Sequence, residues 1–443
     1  MRDILVLAII FAAIPFCFFR PYFGLLMWTW VAYFNPHRLA FGIAYDFPVA
    51  MAIGIPTLAG LLFTRERNRN LFSREIEIMF ALWAWFCVTT WYAARQVIFA
   101  DHIAAGEEML SRTSKILLMT VVTVILVTSQ KKLRYLCYVT VLSIGFYAVK
   151  GAIFGLRTAG EERVWGPIGS FIEDNNFLAV AVNMTLPFLF FLARSEKNKK
   201  LRMLFWTVFV CGIASVVLSY SRGGLLGLAI VLGILTMKSR HKLVGAALVV
   251  VLACAVIVYA PPTWFSRMDQ IAHGNLDSSA QERLDAWHFA GVLASHYPLT
   301  GGGFETFTPD LFERFTPDRG FAGPHSIYFQ MLGEQGYVGL FLFLSLLFSC
   351  HFTCWKLRRQ SRRFPQTAWI EPYTEMIQVS LVAYMVSGAF LAMAYFDYFW
   401  QIVAMTAILR ILYRREVVTA MAEEPPARTL SQPSEVVELS LAP

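Results

Sequence analysis

The chain has 443 residues, of which 57% are hydrophobic, 15% are aromatic and only 15% are charged. A soluble domain holds about 45–50% apolar and ~25% charged residues, so this composition excludes an ordinary soluble protein and predicts a polytopic membrane protein. The formal net charge of +8 comes from short Lys and Arg clusters between apolar segments. It therefore does not indicate a nucleic-acid-binding face.

Apolar segments of about bilayer length recur along the chain and predict an all-α polytopic membrane protein with about 12 transmembrane helices. With their flanking residues they are long enough to cross the ~30 Å hydrocarbon core. They lie at residues 4–34, 47–63, 76–93, 114–128, 133–153, 177–193, 202–218, 223–237, 243–260, 326–355, 375–394 and 396–412. The first is long enough for more than one crossing and is broken at Arg20-Pro21.

Basic clusters between these segments set the predicted orientation, because Lys and Arg are enriched in cytoplasmic loops. The clusters lie at residues 65–74, 131–134, 194–202, 238–242, 356–363 and 410–415. Keeping all of them on one side requires residues 4–34 to cross once, as a broken helix. Both termini are then expected in the cytoplasm.

The chain divides into four predicted regions. Residues 1–260 would form transmembrane helices 1–9, and residues 261–325 a large outer loop that contains short helices and forms part of the active site. Residues 326–415 would form transmembrane helices 10–12. Residues 416–443 are rich in Glu, Pro and Ser without apolar periodicity, which predicts a disordered cytoplasmic tail.

Arginines at the outer boundary are the first candidate site residues. A positive-inside protein has no topological reason to place Arg157, Arg163 and Arg222 there. Arginine forms bidentate hydrogen bonds with phosphate oxygens, and Gly223-Gly224 would let a ligand approach Arg222 closely. We therefore expect these arginines to bind an anionic group, and Glu161 in the same outer loop is a further candidate site residue. The alternative is that they reach toward lipid headgroups.

A helix is predicted from Ser279 to Ser295 in the long loop, starting with a capping box that ends at Glu282. Arg283 and Trp287 are i, i+4 neighbours on this helix. The helix is expected to lie along the membrane surface with its aromatic side toward lipid. Arg283 is predicted to contact a substrate phosphate, and the alternative is a surface residue that pairs with Asp285 or Glu282.

His325 is the predicted catalytic residue, either as a general base or as a hydrogen-bond partner of the substrate, and the alternative is an ordinary packed or surface histidine. Pro324 suits the first turn of a helix, which would place His325 at a helix N-terminus, where a neutral imidazole is favoured and can accept a proton. Glu334 is an acid within an apolar segment and is a candidate functional residue, although its two flanking glycines predict a kink as the alternative. Asp397, in the last outer loop, is a further candidate.

No metal or nucleotide site is predicted. All seven cysteines lie in apolar segments, which argues against a disulfide framework or a zinc site. The run Gly301-Gly302-Gly303 lacks the Lys-Ser/Thr pair of a phosphate-binding P-loop, so a tight turn is predicted there.

The chain resembles the O-antigen ligase family, including its exosortase-associated O-glycosylation ligases. The resemblance begins at Pro21-Tyr22-Phe23-Gly24 and covers nearly the whole chain. Many relatives have Asn directly after the histidine, where this chain has Ser326. The late segments that carry the resemblance are Arg283-x3-Trp287, Pro298-Leu-Thr-Gly301-x-Gly303, His325 and Gly333-Glu334-x-Gly336.

The resemblance implies a GT-C-type membrane glycosyltransferase at the periplasmic face of the inner membrane of a Gram-negative bacterium. It implies a glycan on undecaprenyl diphosphate as donor and the core oligosaccharide of lipid A as acceptor, without a metal or nucleotide cofactor and without a nucleic-acid partner. His325 would activate the acceptor hydroxyl. Arg163, Arg222 and Arg283 would bind the diphosphate, and Arg222 would also act in catalysis.

Three other functions are open from the sequence. An O-antigen polymerase would use the same donor and extend a second lipid-linked chain. A protein O-glycan ligase would transfer the glycan to a Ser or Thr of another protein. A transporter of lipid-linked sugars belongs to a different class and would need no base.

Overall fold

The computed structural model describes residues 2–239 and 278–423, and every regular element in these ranges is helical, in agreement with the predicted all-α class. The helices are α1 (Arg2–Phe19), α2 (Pro21–Phe34), α3 (Ile43–Asp46), α4 (Val49–Phe63), α5 (Arg74–Ala93), α6 (Ile103–Leu126), α7 (Gln130–Arg157), α8 (Asn175–Ser195), α9 (Lys199–Leu218), α10 (Arg222–Lys238), α11 (Ser278–His296), α12 (Pro309–Phe315), α13 (Ile327–Ser361), α14 (Ile370–Gly388) and α15 (Asp397–Glu423).

Seven of the described helices are long and apolar enough to cross a membrane. They are α1, α5, α6 with the turn before it, α7, α8, α9 and α13, and α4 is a shorter apolar helix. The length and apolar composition of these helices indicate a membrane protein. The number of about 12 crossings stays a prediction. The predicted span at 243–260 lies outside the described residues.

The helices meet at two chemically different ends. At one end, called the basic end, Lys132 forms an ion pair with Glu66 at 2.7 Å and Arg134 pairs with Glu196 at 2.9 Å. Residues of the other basic clusters make polar contacts at the same end. Lys238 and Arg358 each form an ion pair with Glu375, and Arg415 donates a hydrogen bond to the Thr128 carbonyl. The opposite end, called the loop end, carries the connections at residues 158–174, 219–221, 297–326 and 389–396.

The first apolar segment folds back on itself. Asp3, at the start of α1, accepts a hydrogen bond of 2.8 Å from the backbone N–H of Gly42, in the segment after α2. In one broken helix the start of α1 and the end of α2 would lie about 45 Å apart, at 1.5 Å per residue. The two helices therefore run antiparallel. The prediction that residues 4–34 cross once is wrong.

The turn between α1 and α2 has a single residue, Arg20, with φ −132° and ψ 78°, and Pro21 begins α2. α4 packs closely on this turn, because a Cβ at Gly60 would lie 2.0 Å from the carbonyl oxygen of Phe18. The length of the segment and the break at Arg20-Pro21 were compatible with two crossings. A one-residue turn has no run of Gly, Asn, Asp or Ser to mark a loop, so the charge pattern decided for a single crossing.

The direction of α2 places the start of α1 at the loop end. Tyr22, near the start of α2, donates a hydrogen bond of 2.6 Å to the Lys132 carbonyl at the basic end. Arg38, just after α2, packs against Gly169 at the loop end. α1 runs the opposite way, so the predicted position of the N-terminus beside the basic clusters is also wrong.

α8 is the central helix, with 89% of its spanning window buried inside the protein. Its fully buried Asn183 donates hydrogen bonds to the Gly224 carbonyl at 2.8 Å and to Ser387 Oγ at 3.4 Å. Because a buried amide is costly without such partners, these bonds tie α10 and α14 to α8. Arg222, the first residue of α10, is thereby fixed at the loop end.

α13 contains the break that its glycines predicted. Gly336 has φ 67° and ψ −172°, far from helical values, so the carbonyls before it lose their usual partners within the helix. Outside donors replace these partners, each at 2.9 Å: Gly302 N on the Gly333 carbonyl, Gly303 N on the Glu334 carbonyl, and Trp85 Nε1 on the Gln335 carbonyl. The predicted kink and the predicted turn of the glycine run are both confirmed, and the two support each other.

The described part of the long loop, residues 278–325, lies at the loop end and contains α11 and α12. Its first part, residues 261–277, lies outside the described residues. At the other terminus α15 continues to Glu423, past the boundary at 415 where the tail was predicted to start. Residues 424–443 lie outside the described residues.

Candidate active site

Arg222 is positioned by a tightly packed turn between α9 and α10. Ser221 caps α10 by accepting a hydrogen bond from the Gly224 N–H at 3.0 Å. A Cβ at Gly224 would lie 2.7 Å from the Cβ of Ala179 on α8. Gly224 therefore serves helix packing, and only Gly223 is left beside Arg222 to border a ligand.

α11 confirms the helix predicted in the long loop. On one face Phe289 is fully buried and stacks on Phe312 with ring centroids 4.0 Å apart. Trp287 stacks on Phe329 of α13 with centroids 5.0 Å apart and an interplanar angle of 11°. These rings turn toward protein, so the expectation that the aromatic side of this helix faces lipid is wrong.

Asp285, one of the two partners considered for Arg283, is engaged elsewhere. It forms an ion pair with Arg319 at 2.9 Å and accepts a hydrogen bond from Gln281 at 2.9 Å. Its side chain is almost fully buried. The structure therefore gives Asp285 a role in holding the loop to α11.

These elements enclose a pocket of about 340 Å³, called the arginine pocket. Its described lining is Arg222, Gly223, Leu226, Ala280, Arg283, Leu284, Trp287 and Phe390. Two of the predicted arginines thus share one recess with Trp287, and no acidic side chain belongs to this lining. The Trp287 Nε1 is buried and makes no hydrogen bond within the described part of the chain. It is a donor that a ligand in the pocket can use.

His325 lies just before α13 and not in its first turn. Ser326 is the cap of α13, and its hydroxyl accepts a hydrogen bond from the Tyr328 N–H at 3.3 Å. His325 itself has a left-handed backbone, φ 43°. The predicted helical position is therefore wrong, because the serine hydroxyl caps the helix one residue later.

The expected neutral state of His325 has a different cause from the one predicted. Burial lowers the pKa of His325 below its ordinary 6.5, and the positive charge of Arg283 lowers it further. Glu282 and Asp174 act in the opposite direction. His325 thus lies within electrostatic reach of Arg283, which lines the arginine pocket.

A second cavity, of about 720 Å³, is called the central cavity. Gly323 and Pro324 line it, so His325 lies at its edge. Its charged lining is Glu173, Asp174, Glu305, Glu334 and Arg112, and its aromatic lining is Trp165, Phe171, Phe177 and Phe307. Asp174 lines the central cavity and Arg283 lines the arginine pocket, and His325 is within electrostatic reach of both side chains.

Glu334 is buried in the wall of the central cavity. Tyr395 donates a hydrogen bond of 2.5 Å to Glu334 Oε2, and Gln330 Nε2 lies 3.5 Å from Oε1. Gln330 in turn accepts a hydrogen bond from the Ala394 N–H at 3.1 Å. The predicted kink is present beside Glu334, at Gly336, and a functional role of Glu334 stays a prediction.

Arg163 lies apart from the other predicted phosphate-binding arginines. It lines a third cavity of about 690 Å³, called the lateral cavity, together with Lys150 and Glu162. The lateral cavity shares Trp165 and Glu173 with the central cavity. Arg163 shares none of these three cavities with Arg222 or Arg283.

The remaining candidates lie at the periphery or beneath the central cavity. Arg157, the last residue of α7, and Glu161 are exposed and line none of the three cavities. Asp397, the first residue of α15, lies within electrostatic reach of Arg112. Its Oδ1 is buried without a hydrogen bond among the described residues.

Four charged residues of the central cavity were not predicted from the sequence: Arg112, Glu173, Asp174 and Glu305. Arg112 stacks on the Phe171 ring at 3.9 Å from its centroid, and it precedes the predicted span at 114–128 because α6 begins earlier than hydropathy indicates. Glu305 has a left-handed backbone, φ 59°. Desolvation by the cavity walls raises the pKa of Glu305, whereas Arg112 lowers it and Glu108 raises it. The glycines directly before Glu305 were the only available signal.

The four acids that line the central cavity do not form a metal site among the described residues. Within residues 2–239 and 278–423, no group of three or more His, Cys, Asp or Glu side chains is placed to hold a metal ion. Metal independence stays a prediction.

One segment of the chain matches a model of a known protein family. Residues 207–344 match a family model described as O-antigen ligase. The chain thus contains an O-antigen ligase domain at residues 207–344. The matched range contains Arg222, Arg283, Trp287, His325 and Glu334, and the match supports an O-antigen ligase- or polymerase-type function in general. Residues 1–197 match a second model, described as a family of unknown function. No curated protein shows significant similarity to the chain.

Proposed function

We propose that this protein is a glycan ligase that transfers O-antigen polysaccharide from undecaprenyl diphosphate to the lipid A-core oligosaccharide. The reaction would take place at the periplasmic face of the inner membrane, with inversion and without a metal ion. The observation that carries the proposal is the arginine pocket, which combines two guanidiniums and an indole N–H and whose Arg283 lies within electrostatic reach of His325.

The arginine pocket suits the lipid donor. Arg222 and Arg283 would each bind diphosphate oxygens through paired N–H groups, and Trp287 Nε1 would donate a further hydrogen bond. Leu226 and Leu284 line the same pocket and remain exposed on its outside, so the polyprenyl chain can continue along them into lipid. Arg163 lies in the lateral cavity, and the proposal therefore assigns the diphosphate to Arg222 and Arg283.

The proposed reaction is a single displacement at the anomeric carbon. The acceptor hydroxyl oxygen attacks this carbon and its proton passes to a ring nitrogen of His325, which is neutral because burial and Arg283 lower its pKa. The bond from the anomeric carbon to the phosphate oxygen breaks, and undecaprenyl diphosphate leaves with both bonding electrons. Arg222 and Arg283 stabilise the charge that develops on the diphosphate.

The test uses purified full-length protein in lipid nanodiscs with lipid-linked O-antigen and lipid A-core. We expect glycosylated lipid A-core, retained in EDTA and abolished by His325→Ala or Arg222→Ala. His296→Ala changes an exposed histidine at the end of α11 and is the matched control with full activity. Monodisperse gel filtration of each variant would show that it remains folded.

Other products would contradict the proposal in distinct ways. Elongation of a second lipid-linked glycan would identify a polymerase, and glycosylation of an added protein would identify a protein ligase. Absence of any transfer, with movement of the lipid-linked sugar across a sealed bilayer, would identify a transporter. Activity that is lost in EDTA and restored by Mg²⁺ would mean that a cation takes part.

A further inference from the structure

The central cavity and the arginine pocket have opposite charge. The described lining of the arginine pocket contains two arginines and no acid, whereas that of the central cavity contains four acids and one arginine. His325 is within electrostatic reach of Arg283 in the arginine pocket and of Asp174 in the central cavity. A diphosphate is therefore attracted to one compartment and repelled by the other.

The walls of the central cavity suit a sugar. At about 720 Å³ the cavity falls in the range of small-molecule sites, ~300–1,000 Å³. Trp165, Phe171, Phe177 and Phe307 provide flat apolar surfaces on which the C–H faces of a sugar ring can pack. Ionised carboxylates only accept hydrogen bonds, and sugar hydroxyls can donate them. Arg112, held over Phe171, adds one donor group.

Glu305 is fixed in the cavity by its neighbours in the chain. Phe304 and Thr306 on either side are buried, and Phe304 packs between Phe86 and Tyr395 with ring centroids 5.3 and 4.7 Å away. The left-handed backbone of Glu305, φ 59°, is thus maintained by packing on both sides. Its side chain remains exposed to the cavity, in contrast to the buried Glu334 on the wall.

We infer that the central cavity is the acceptor site and that it selects an uncharged sugar. Glu305 and Glu334 would accept hydrogen bonds from the hydroxyls of the sugar that receives the glycan, and the aromatic side chains would pack on its ring. A phosphate or carboxylate on that sugar would meet the carboxylates of Glu173, Asp174 and Glu305 and be rejected. The assignment of the cavity as the acceptor site rests on the proposed function, whereas the selection for an uncharged sugar rests on the residues that line the cavity.

Binding without donor tests this selection directly. The probes are a core oligosaccharide that ends in glucose and the same oligosaccharide with a 6-phosphate on that glucose. Purified full-length protein in nanodiscs is titrated with each probe, and tryptophan fluorescence and calorimetry report binding. We expect the neutral probe to bind at least tenfold more tightly than the phosphorylated probe.

A charge-removing variant and a matched control separate the cavity from the rest of the surface. Glu305→Gln keeps the size of the side chain and one acceptor oxygen, so the preference for the neutral probe should fall by at least threefold. Glu313→Gln removes an exposed acid of α12 that lines none of the three cavities, and the preference should be unchanged.

The possible results separate this inference from the proposed function. Equal binding of the two probes, or binding of neither, overturns the inference. An unchanged preference in Glu305→Gln overturns it as well. Selective binding of the neutral probe by a protein that transfers no glycan supports the cavity assignment and refutes the ligase. Transfer of glycan to the phosphorylated sugar at the same rate supports the ligase and refutes the selection.

Discussion

At the scale of single residues, the three arginines predicted to bind diphosphate should differ in their effects. Arg222 and Arg283 share the arginine pocket, whereas Arg163 lies in the lateral cavity. Loss of one preorganised charge that stabilises a leaving group costs about 100- to 1,000-fold in rate. We expect losses of this size in kcat/KM for Arg222→Ala and Arg283→Ala, and less than tenfold for Arg163→Ala, measured with lipid-linked donor.

Lysine variants at the same positions refine this expectation. Arg222→Lys keeps the charge and loses the bidentate geometry, so its activity should lie between those of the wild type and the alanine variant. If Arg163→Ala lost as much activity as Arg222→Ala, the functional separation of the two cavities would be wrong. Arg163 would then also bind the diphosphate.

The charge around His325 leads to a prediction about pH. The base acts only when it is neutral, so activity falls as the pH drops through its pKa. Burial and Arg283 lower this pKa below 6.5, and the acidic limb of the kcat profile should therefore lie below pH 6.5. Glu282 opposes the lowering, so Glu282→Gln should move the limb to still lower pH. Single-turnover rates with bound donor between pH 4.5 and 8 provide the measurement.

The direction of that movement is the decisive readout. A structural effect of Glu282→Gln would reduce the rate at every pH and leave the limb in place. A movement toward higher pH, or a wild-type limb above 6.5, would show that His325 is not the group whose protonation stops the reaction. Asp174, which also raises the pKa of His325, lines the central cavity and is less suitable for this test because it could contact the acceptor.

At the scale of elements, the features that local sequence determines were predicted and those that depend on distant packing were not. The helix Ser278–His296 and the break at Gly336 follow from capping residues and glycines close in sequence. The fold-back at Arg20 depends on Gly60, which belongs to another helix. Charge counting alone could not detect a turn of one residue.

The broken helix α13 gives a prediction about stability. Gly336 has φ 67°, and a Cβ there would lie 2.2 Å from the Leu299 carbonyl oxygen. Gly336→Ala should therefore destabilise the protein by about 1–3 kcal/mol from backbone strain alone. It should also weaken the contact between α13 and the glycine run. The melting temperature in detergent and the transfer rate should both fall.

Gly291→Ala is the matched control for that experiment. Gly291 lies inside α11 with open space around its Cβ position, and alanine is favoured over glycine in a helix interior by about 0.5–1 kcal/mol. This variant should melt at the same or a slightly higher temperature. Equal melting of wild type and Gly336→Ala would show that the break can be made without glycine.

At the scale of the whole molecule, the candidate site is assembled from segments far apart in the chain. Arg112 on α6 and Glu305 after the glycine run meet in one cavity, and no pattern in either segment predicts that encounter. Arg222, Arg283 and His325 were singled out because their residue types suit phosphate binding and proton transfer. Their chemistry was visible in the sequence, but the division into two compartments of opposite charge was not, since it depends on tertiary packing.

The fold-back of α1 and α2 makes a prediction about membrane topology. A single crossing would leave the Arg20 charge within the hydrocarbon core, at a cost of about 2.5–3.5 kcal/mol near the centre. The fold-back places Arg20 at the basic end and Arg2 at the loop end.

In a variant without the seven native cysteines, Arg20→Cys should react with an impermeant maleimide from the same side as Arg67→Cys. Arg2→Cys should react from the opposite side, together with Val97→Cys, which is exposed between α5 and α6. Intact spheroplasts and inverted vesicles expose the two sides of the membrane separately. Labelling of Arg2→Cys and Arg67→Cys from the same side would contradict the fold-back and support a single crossing.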